Sequence, residues 1–501
     1  MGNDGLLLER RAVPTGRIDP MAKVGGTSGQ PDSASGWTVG TRPVALMVAA
    51  AVVVAGILFT FFWYPVSHQG AGWVTQGDLW GIYRGAQYVS WGDLGGIYNQ
   101  DTGIVTLPGI AVVLAPVAML CDALHLSSLA PGFFLPHPTA ALVLVPTELV
   151  LASTVVIAAD ALAEQLAVAA RRRVVLCVAV GVVTWGVAAI WGHPEDALVM
   201  TFAMYAFRAV LRGSWVRAGW LFGIGVAFQP LLALVLPLFV AASPRAGRAL
   251  FAIRCSAIAV ILAVVAYVGN PSGVVHSLIG QPTPPGLNHV TPWVSLAPHE
   301  RLGPSLWVTR FELVRLHGEM VFIGARAVVH APLEVAGGPG RFVYLALAVL
   351  AGLAVWRNPP DPLRLLWLAA AVLAARCCFE AVMTPYYVTP PLVLLVVLAG
   401  RTTTIRFVTS IALSLGISWF AYADLGPWEW WLPQVTGLGL ILWLTVPGKP
   451  PRVTPPGMPL SVVGVLAEQR PVQTDELARP RTSAMGEESQ RVTCPPRRSR
   501  A

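Results

Sequence analysis

Two related motifs place aspartates among glycine and aromatic residues. Gly77-Asp78-Leu79-Trp80-Gly81-Ile82-Tyr83 recurs fifteen residues later as Gly92-Asp93-Leu94-Gly95-Gly96-Ile97-Tyr98. A partly desolvated carboxylate can act as a general base, but aspartate also caps short helices that aromatic residues anchor at a membrane interface. One continuous helix would place both acids on roughly one face, although the glycine density argues against such a helix. We interpret Asp93 as a cap and Asp78, shortly after the first apolar segment, as a candidate catalytic base.

A second polar motif, His193-Pro194-Glu195-Asp196, combines one imidazole with two carboxylates. Proline and acidic residues are typical of the first turn of a helix, where carboxylates complement the helix dipole, so one interpretation is structural. In the other, His193, Glu195 and Asp196 form a polar wall for an acceptor sugar or bind a divalent metal, since carboxylates with histidine can hold one. The spacing alone leaves both interpretations open.

Ionisable residues also occur within or at the ends of apolar segments. Arg376 and Glu380 are four residues apart, which places them on one face of a predicted helix. They form either a structural ion pair or, through Arg376, a site that binds a lipid phosphate bidentately. Glu148 lies within another apolar segment, where it either lines a cavity or is paired.

Ring-bearing candidates follow later in the chain. His289 could donate a hydrogen bond to a phosphate or assist the base, and Trp293 could stack on a sugar ring. Isolated loop histidines such as His299 are usually solvated, so the structural interpretation is kept beside the functional one. Tyr386 and Tyr387 are interpreted as anchors at the membrane interface.

The composition indicates what kind of environment must hold these residues. Hydrophobic residues make up 55% of the chain and charged residues 12%, and the mean hydropathy is +0.63. These values differ from those of soluble globular domains and indicate a membrane protein. The net charge of +8 does not indicate a nucleic-acid partner, because the basic residues sit in short clusters between apolar segments and in the C-terminal tail.

About twelve apolar segments are interpreted as membrane spans, several of them shorter than a full crossing. The sequence therefore predicts an all-α polytopic membrane protein. The predicted spans are 43–64, 139–167, 174–191, 196–211, 218–229, 231–242, 250–269, 341–356, 365–382, 387–400, 406–423 and 432–446. A break at Gln229-Pro230 interrupts one pair of spans, which requires protein or water to shield the free carbonyls.

Arginine placement predicts the orientation of these spans. Arginines cluster in alternate connections, so the positive-inside rule places both termini in the cytoplasm of a multi-pass plasma-membrane protein. Two long outer loops result, 65–138 and 270–340, and the apolar stretch 107–124 is interpreted as an interfacial helix of the first. Residues 1–42 and 447–501 are predicted to be disordered cytoplasmic tails.

Two groups of motifs resemble those of membrane glycosyltransferases of the GT-C superfamily, especially glycosyltransferase family 87. The first outer loop of that family resembles Gly77-Asp78-Leu79, Tyr83, Ala86, Ile97-Tyr98 and Leu107-Pro108 of this chain. Its second outer loop and following broken helix pair resemble Trp191-Gly192-His193-Pro194-Glu195-Asp196-Ala197-Leu198, Ala218-Gly219 and the stretch 223–230. The resemblance covers roughly residues 43–400. The chain departs from the family at Gln229, where members often have lysine, and in the Gly-His-Pro-Glu-Asp sequence, where they often have Gly-Gln-x-Asn.

The resemblance implies a GT-C-like fold and an inverting sugar transfer. The donor would be a polyprenyl-phosphate sugar, with mannose favoured, and the acceptor a lipid or glycan hydroxyl on the extracytoplasmic face. Asp78 would be the general base. Tyr83 and Gln229, in the matched motifs, are further candidates for substrate contacts. No cofactor is specified, and a divalent metal is one option for the His193 motif.

Two alternatives from other classes are kept. A transporter or flippase of a lipid-linked sugar or small solute would also use broken helices and buried charge, but the chain has no obvious inverted repeat. A structural membrane subunit would leave the concentration of acids on the predicted outer side unexplained. Product formation in detergent, without any gradient, separates the enzyme from the transporter.

Overall fold

The fold is that of a computed structural model, which describes residues 41–63, 77–99, 102–126, 138–281, 289–301, 306–316, 319–329, 333–335, 337–423 and 425–448. Contacts divide the chain into Met1–Pro447 and Gly448–Ala501. The predicted disordered tails lie outside the described residues, except that the first helix already begins at Thr41 and the described part continues to Gly448.

The described part of the chain is mainly helical, consistent with the predicted all-α membrane protein. In chain order the α-helices are α1 (Thr41–Leu58), α2 (Gly77–Ser90), α3 (Gly109–Ala123), α4 (Ala141–Gln165), α5 (Ala170–Gly186), α6 (Pro194–Leu211), α7 (Trp215–Phe228), α8 (Leu236–Ala242), α9 (Arg248–Gly269), α10 (Pro271–Val274), α11 (Gly340–Arg357), α12 (Pro362–Phe379), α13 (Thr389–Ala399), α14 (Thr404–Phe420) and α15 (Pro427–Leu444). Short π-helical segments extend α1 over Phe59–Trp63 and α5 over Val187–Trp191.

Six helical stretches of the described residues are long and apolar enough to cross a membrane. They are Thr41–Trp63, Ala141–Gln165, Ala170–Trp191, Arg245–Gly269, Gly340–Arg357 and Pro362–Phe379. Several helices expose large apolar side chains outward, for example Phe342 (74%) and Trp419 (84%). Such a surface is unfavourable in water and suits contact with lipid.

The core is built around α4 and α6, which pack against each other. On α4, Leu144, Leu149 and Val156 are fully buried, and Glu148 is fully buried among them. Helix α7 packs between α6 and α9. Every residue of α13 is buried. An all-apolar sequence such as that of α13 tolerates burial on all sides because it has no polar face.

Arginines that were predicted to lie in the cytoplasm meet at one end of the helices. The guanidinium of Arg173 donates two hydrogen bonds of 2.9 Å to Asp160, and Arg42 and Arg208 lie 3.5 Å and 3.7 Å from Glu164. Arg172, on the same turn as Arg173, donates to backbone carbonyls at the end of α13. These contacts join α1, α4, α5, α6 and α13 at a single charged end.

The first predicted outer loop contains two packed helices. The stretch interpreted as an interfacial helix forms α3, which packs along α2 and also contacts α7. Helix α2 ends at Ser90, and Gly92 then adopts a left-handed φ of 81°. The Asp93 carboxylate accepts a 2.9 Å hydrogen bond from the backbone N–H of Gly96, so the prediction that Asp93 is a cap is confirmed.

The second predicted outer loop contains strands that the sequence analysis did not predict. Strands β3 (Leu306–Leu316) and β4 (Glu319–Val329) form an antiparallel hairpin, in register from Leu306 opposite Val329. Strand β1 (His289–Val290) pairs with β6 (Val382–Met383), and β2 (His299–Arg301) pairs with β5 (Leu333–Val335). Residues 306–316 are rich in aromatic and β-branched types, Trp307, Val308, Thr309, Phe311 and Val314, which is a composition typical of strands.

The predicted break at Gln229-Pro230 is present. Helix α7 ends at Phe228, Gln229 is extended (φ −144°, ψ 115°), and a 3-10 segment over Pro230–Val235 leads into α8. Proline at 230 has no N–H to continue the helix and disfavours a helical conformation at the preceding residue. The break places the polar side chain of Gln229 within an otherwise apolar helix pair.

Candidate active site

A left-handed glycine positions His193. The π segment Val187–Trp191 ends at Gly192, whose φ is 73°, and α6 begins at Pro194. Glycine adopts this conformation without the steric cost that a Cβ would add. The N–H groups of Gly192 and His193 still donate to carbonyls of the preceding π segment. His193 therefore lies in a sharp connection between two helical segments.

His193 bridges two carboxylates. Its Nε2 lies 2.7 Å from Asp78 Oδ2, and its Nδ1 lies 2.6 Å from Glu195 Oε1. Asp78 is in the first turn of α2, so this contact ties the first outer loop to the start of α6. The Asp78 side chain is 45% exposed, whereas that of Glu195 is 1% exposed. Asp78, His193 and Glu195 therefore form a row that runs from an accessible carboxylate inward to a buried one.

The charge of this row can be assigned from the surroundings of His193, which lies between the helical segments and outside the membrane-spanning stretches. Burial disfavours the charged imidazole, but the carboxylates of Glu195 and Asp78 outweigh that effect and raise the His193 pKa well above its ordinary range. The imidazole is therefore a cation at neutral pH, held between two anions. Both of its N–H groups donate, which fixes the ring orientation.

The neighbouring acid, Asp196, connects the site to the broken helix pair. The amide Nε2 of Gln229 donates a 3.1 Å hydrogen bond to Asp196 Oδ1, and Asp196 Oδ2 lies 4.0 Å from His193 Nδ1. Because Gln229 is free of helix geometry, its amide can reach across to α6. The structure therefore brings together five of the predicted site residues, Asp78, His193, Glu195, Asp196 and Gln229.

Several buried carboxylate oxygens in this region have no hydrogen-bond partner among the described residues. They are Glu195 Oε2, Asp196 Oδ2 and both oxygens of Glu148. Glu148 on α4 is close enough to Glu195 and His193 to interact with both electrostatically. A buried carboxylate without a partner is costly, so this concentration of free oxygen atoms requires a physical explanation.

Aromatic rings link His193 to Arg376. The Tyr386 ring lies over the His193 ring with centroids 4.2 Å apart, and Tyr387 contacts Tyr386 edge to face at 5.1 Å. The guanidinium carbon of Arg376 lies 3.7 Å from the centroid of the Tyr387 ring. Tyr386 is only 7% exposed, so its interpretation as an interfacial anchor is wrong. Tyr387 is half-buried, and the same interpretation of Tyr387 stays a prediction.

Arg376 belongs to a second charged group at the end of α12. Its Nε lies 3.4 Å from Glu380 Oε2, and Arg341 Nε donates to Glu380 Oε1 at 3.1 Å. The Tyr344 hydroxyl donates to Glu380 Oε2 at 3.2 Å. Glu380 directly follows the last residue of α12, and its backbone N–H still donates to the Arg376 carbonyl at 3.0 Å, so the predicted pair forms at the last turn of the helix. Within the described part of the chain, Arg376 Nη1 has no hydrogen-bond partner although it is buried.

The remaining predicted residues lie in other contacts. His289 stacks on Trp430 with centroids 4.3 Å apart and pairs through its backbone with β6. Trp293 donates its indole N–H to the Cys378 carbonyl at 2.7 Å and lines an apolar cleft of about 400 Å³ between α12 and α15. Substrate contacts by His289 and Trp293 stay predictions.

Tyr83 is buried on the side of α2 that faces α3, where its hydroxyl lies 3.5 Å from the Gln87 amide. It is five residues after Asp78, which places it roughly 140° around the helix from that residue. The His299 backbone is in β2, and its side chain is outside the described residues. The substrate contact predicted for Tyr83 is not tested by this placement.

Sequence reasoning missed Arg341 and Tyr344. Both are at the start of an apolar segment, where a basic and an aromatic residue are usual, so nothing in their type or spacing indicated that they hold Glu380. Tyr386 was noticed but assigned to the membrane interface. Pro385, directly before Tyr386, was the available signal. A proline there predicts that the helix does not continue and that the chain can turn back toward the site.

Comparison of the chain with models of protein families finds no match, and comparison with curated proteins finds none either. The functional argument therefore rests on the geometry above.

Proposed function

We propose that this protein is a membrane glycosyltransferase that moves a sugar from a polyprenyl-phosphate donor to a hydroxyl of a lipid or glycan acceptor, with inversion at the anomeric carbon. The observation that carries the proposal is the row Asp78, His193 and Glu195, with contacts of 2.7 Å and 2.6 Å, in which only the outer carboxylate is accessible. Mannose is the favoured sugar, on the resemblance of the motifs to glycosyltransferase family 87.

Asp78 would be the general base. Its Oδ2 lies 2.7 Å from His193 Nε2, a contact that orients the carboxylate, and its other oxygen is available to an acceptor hydroxyl. The acceptor oxygen attacks the anomeric carbon, its proton passes to Asp78, and the bond from that carbon to the phosphate oxygen breaks with its electron pair leaving on the phosphate. One carboxylate is sufficient, because a single displacement inverts the configuration.

Arg376 would stabilise the departing phosphate. Its guanidinium interacts electrostatically with Asp196, and a row of two tyrosine rings connects it to His193. Its free Nη1 offers a donor, and guanidinium matches phosphate oxygens in charge and geometry. Glu380 is shared with Arg341, so Arg376 can turn toward a substrate while Glu380 keeps a cationic partner.

The proposed location is the extracytoplasmic face of the plasma membrane, in a GT-C-like arrangement of about twelve spans. About twenty residues of nearly continuous helix separate Arg173 from His193, which corresponds to roughly 30 Å of rise, the thickness of the hydrocarbon core. If the arginine-rich end faces the cytoplasm, as the positive-inside rule predicts, the Asp78 row faces the other side.

The test is transfer in detergent. Purified protein is given a radiolabelled polyprenyl-phosphate sugar and a lipid acceptor, and labelled product is separated by thin-layer chromatography. Asp78→Asn should reduce product formation by a factor on the order of 10²–10⁴, the range for a general base. Asp93→Asn is the matched control, because it is in the sister motif and asparagine keeps its capping function. If Asp78→Asn kept wild-type activity, the proposed role of Asp78 as the general base would be wrong. Uptake of the donor into proteoliposomes without any transfer would instead favour the transporter.

A further inference from the structure

We infer that His193, Glu195 and Asp196 form a binding site for one divalent transition-metal cation. Each of these residues offers a ligand atom, and the three atoms lie within 4.8 Å of one another. The set combines one imidazole nitrogen with carboxylate oxygens, which is a donor set suited to Mn²⁺ or Zn²⁺.

The first argument is the state of the carboxylate oxygens. Glu195 and Asp196 are each 1% exposed, and their Oε2 and Oδ2 atoms lack a hydrogen-bond partner in the described ranges. The two residues are adjacent in the first turn of α6, and Glu195 Oε1 and Asp196 Oδ2 lie 2.6 Å and 4.0 Å from His193 Nδ1. A cation bound to both carboxylates would offset the cost of burying them.

The second argument is that carboxyl groups outnumber cationic groups in this region. Asp78, Glu148, Glu195 and Asp196 supply four carboxylates to this region, and Glu148 is itself fully buried with both oxygens free of partners among the described residues. The cationic groups that interact with these acids are His193 and Arg376. The acids in this region therefore outnumber the cationic groups, and a divalent cation would offset part of the cost of burying them together.

The third argument is the orientation of the imidazole. Histidines that ligate metals usually donate their second ring N–H to a carboxylate, which fixes the tautomer. His193 already has this arrangement, since its Nε2 lies 2.7 Å from Asp78 Oδ2 while its Nδ1 faces Glu195 and Asp196. The ion would bind Nδ1 in place of the proton shared with Glu195, and Asp78 would orient the ring from the other side.

The observed separations fit such an ion after small movements. Ligand atoms bound at about 2.1 Å in tetrahedral or octahedral geometry are roughly 3.0–3.4 Å apart. His193 Nδ1 is 2.6 Å from Glu195 Oε1 and 4.0 Å from Asp196 Oδ2, so one contact must lengthen and the other shorten. The Gln229 amide would keep Asp196 Oδ1, leaving Oδ2 for the metal.

The test measures metal binding alone, without sugar. The full chain, purified in detergent without a histidine tag and treated with a chelator, is titrated with MnCl₂ or ZnCl₂ by calorimetry, and bound Mn²⁺ is followed by electron paramagnetic resonance. We expect one equivalent to bind, with ¹⁴N coupling from the imidazole. Glu195→Gln and Asp196→Asn should weaken the affinity at least about tenfold, consistent with loss of one ligand. Glu164→Gln, at the arginine-rich end, is the control and should bind as wild type.

The outcomes separate this inference from the proposed function. Absence of saturable binding of both metals by the folded wild-type chain would overturn the metal site, and so would Mn²⁺ bound without nitrogen coupling. Unchanged affinity in folded Glu195→Gln and Asp196→Asn would overturn it too. If those variants do not fold, the nitrogen coupling of the wild-type chain decides. Sugar transfer is measured in a separate assay. A protein that transfers sugar but binds no metal would therefore overturn the metal site and leave the proposed function intact.

Discussion

Asp78 and His193 are 115 positions apart in the sequence, and their side chains meet at 2.7 Å. The contact joins the first turn of α2 to the connection before α6, and it continues through the ring to Glu195. An accessible carboxylate is thereby attached to a buried charged group. This contact between Asp78 and His193 should make the stability of the protein depend on pH and should require glycine at position 192. The neighbouring Arg376 should determine how tightly the donor binds.

The His193 cation should stabilise the metal-free protein in a pH-dependent manner. The flanking carboxylates raise the folded-state pKa of His193 well above its ordinary value of about 6.5, so its contribution is fully present below that pH and is lost as pH rises through the folded-state pKa. We expect the melting-temperature difference between wild type and His193→Gln, measured with chelator present, to be largest near pH 6 and to shrink as pH rises. A difference that grows with pH would contradict the assigned charge.

Gly192 should be required for the geometry of the connection before α6. Its φ of 73° makes any Cβ unfavourable, so Gly192→Ala should cost about 1–2 kcal/mol of stability and displace His193. Gly416→Ala is the matched control, because a Cβ there meets no atom within 4 Å and its φ is not left-handed. Thermal unfolding in detergent measures both variants. Equal melting temperatures for the two would show that the connection tolerates a side chain.

The buried ion pair at the arginine-rich end should dominate the stability of that end. Arg173 makes two 2.9 Å hydrogen bonds to Asp160, whose side chain is 3% exposed, and removing one partner leaves a buried charge. We expect Arg173→Gln to destabilise the protein by about 3–5 kcal/mol. Arg171→Gln, two residues earlier and exposed, should stay within about 0.5 kcal/mol of wild type. Denaturant unfolding followed by tryptophan fluorescence distinguishes the two.

Arg376 should determine the affinity for a phosphate-bearing donor. Arg376→Gln removes the guanidinium, while Glu380 keeps Arg341 at 3.1 Å and Tyr344 at 3.2 Å, so the protein should still fold. A lost charged hydrogen bond of about 1.5–3 kcal/mol corresponds to a roughly 10- to 100-fold rise in KM for the donor. Arg357→Gln, exposed at the end of α11, is the control. A donor KM unchanged in Arg376→Gln would assign Arg376 a structural role only.

Much of the helical layout could be predicted because apolar composition and proline placement act locally. The predicted segment 139–167 corresponds to α4, the break at Gln229-Pro230 is present, and Asp93 is a cap. The hairpin β3–β4 was missed because the whole stretch was interpreted as an outer loop, although 306–316 is rich in aromatic and β-branched residues. Glu380 was placed on the helix because four-residue spacing does not reveal where a helix ends.

The sequence by itself determined that the chain belongs in a membrane environment and that its arginines cluster between apolar segments, because hydropathy and charge are properties of short segments. Only the tertiary structure decided that Asp78 meets His193, that Gln229 reaches Asp196 and that Tyr386 is buried against the imidazole. The members of each pair lie in segments that are far apart in the sequence, and they meet because helices such as α4, α6 and α7 pack against one another. Such long-range packing has no local signal in the sequence.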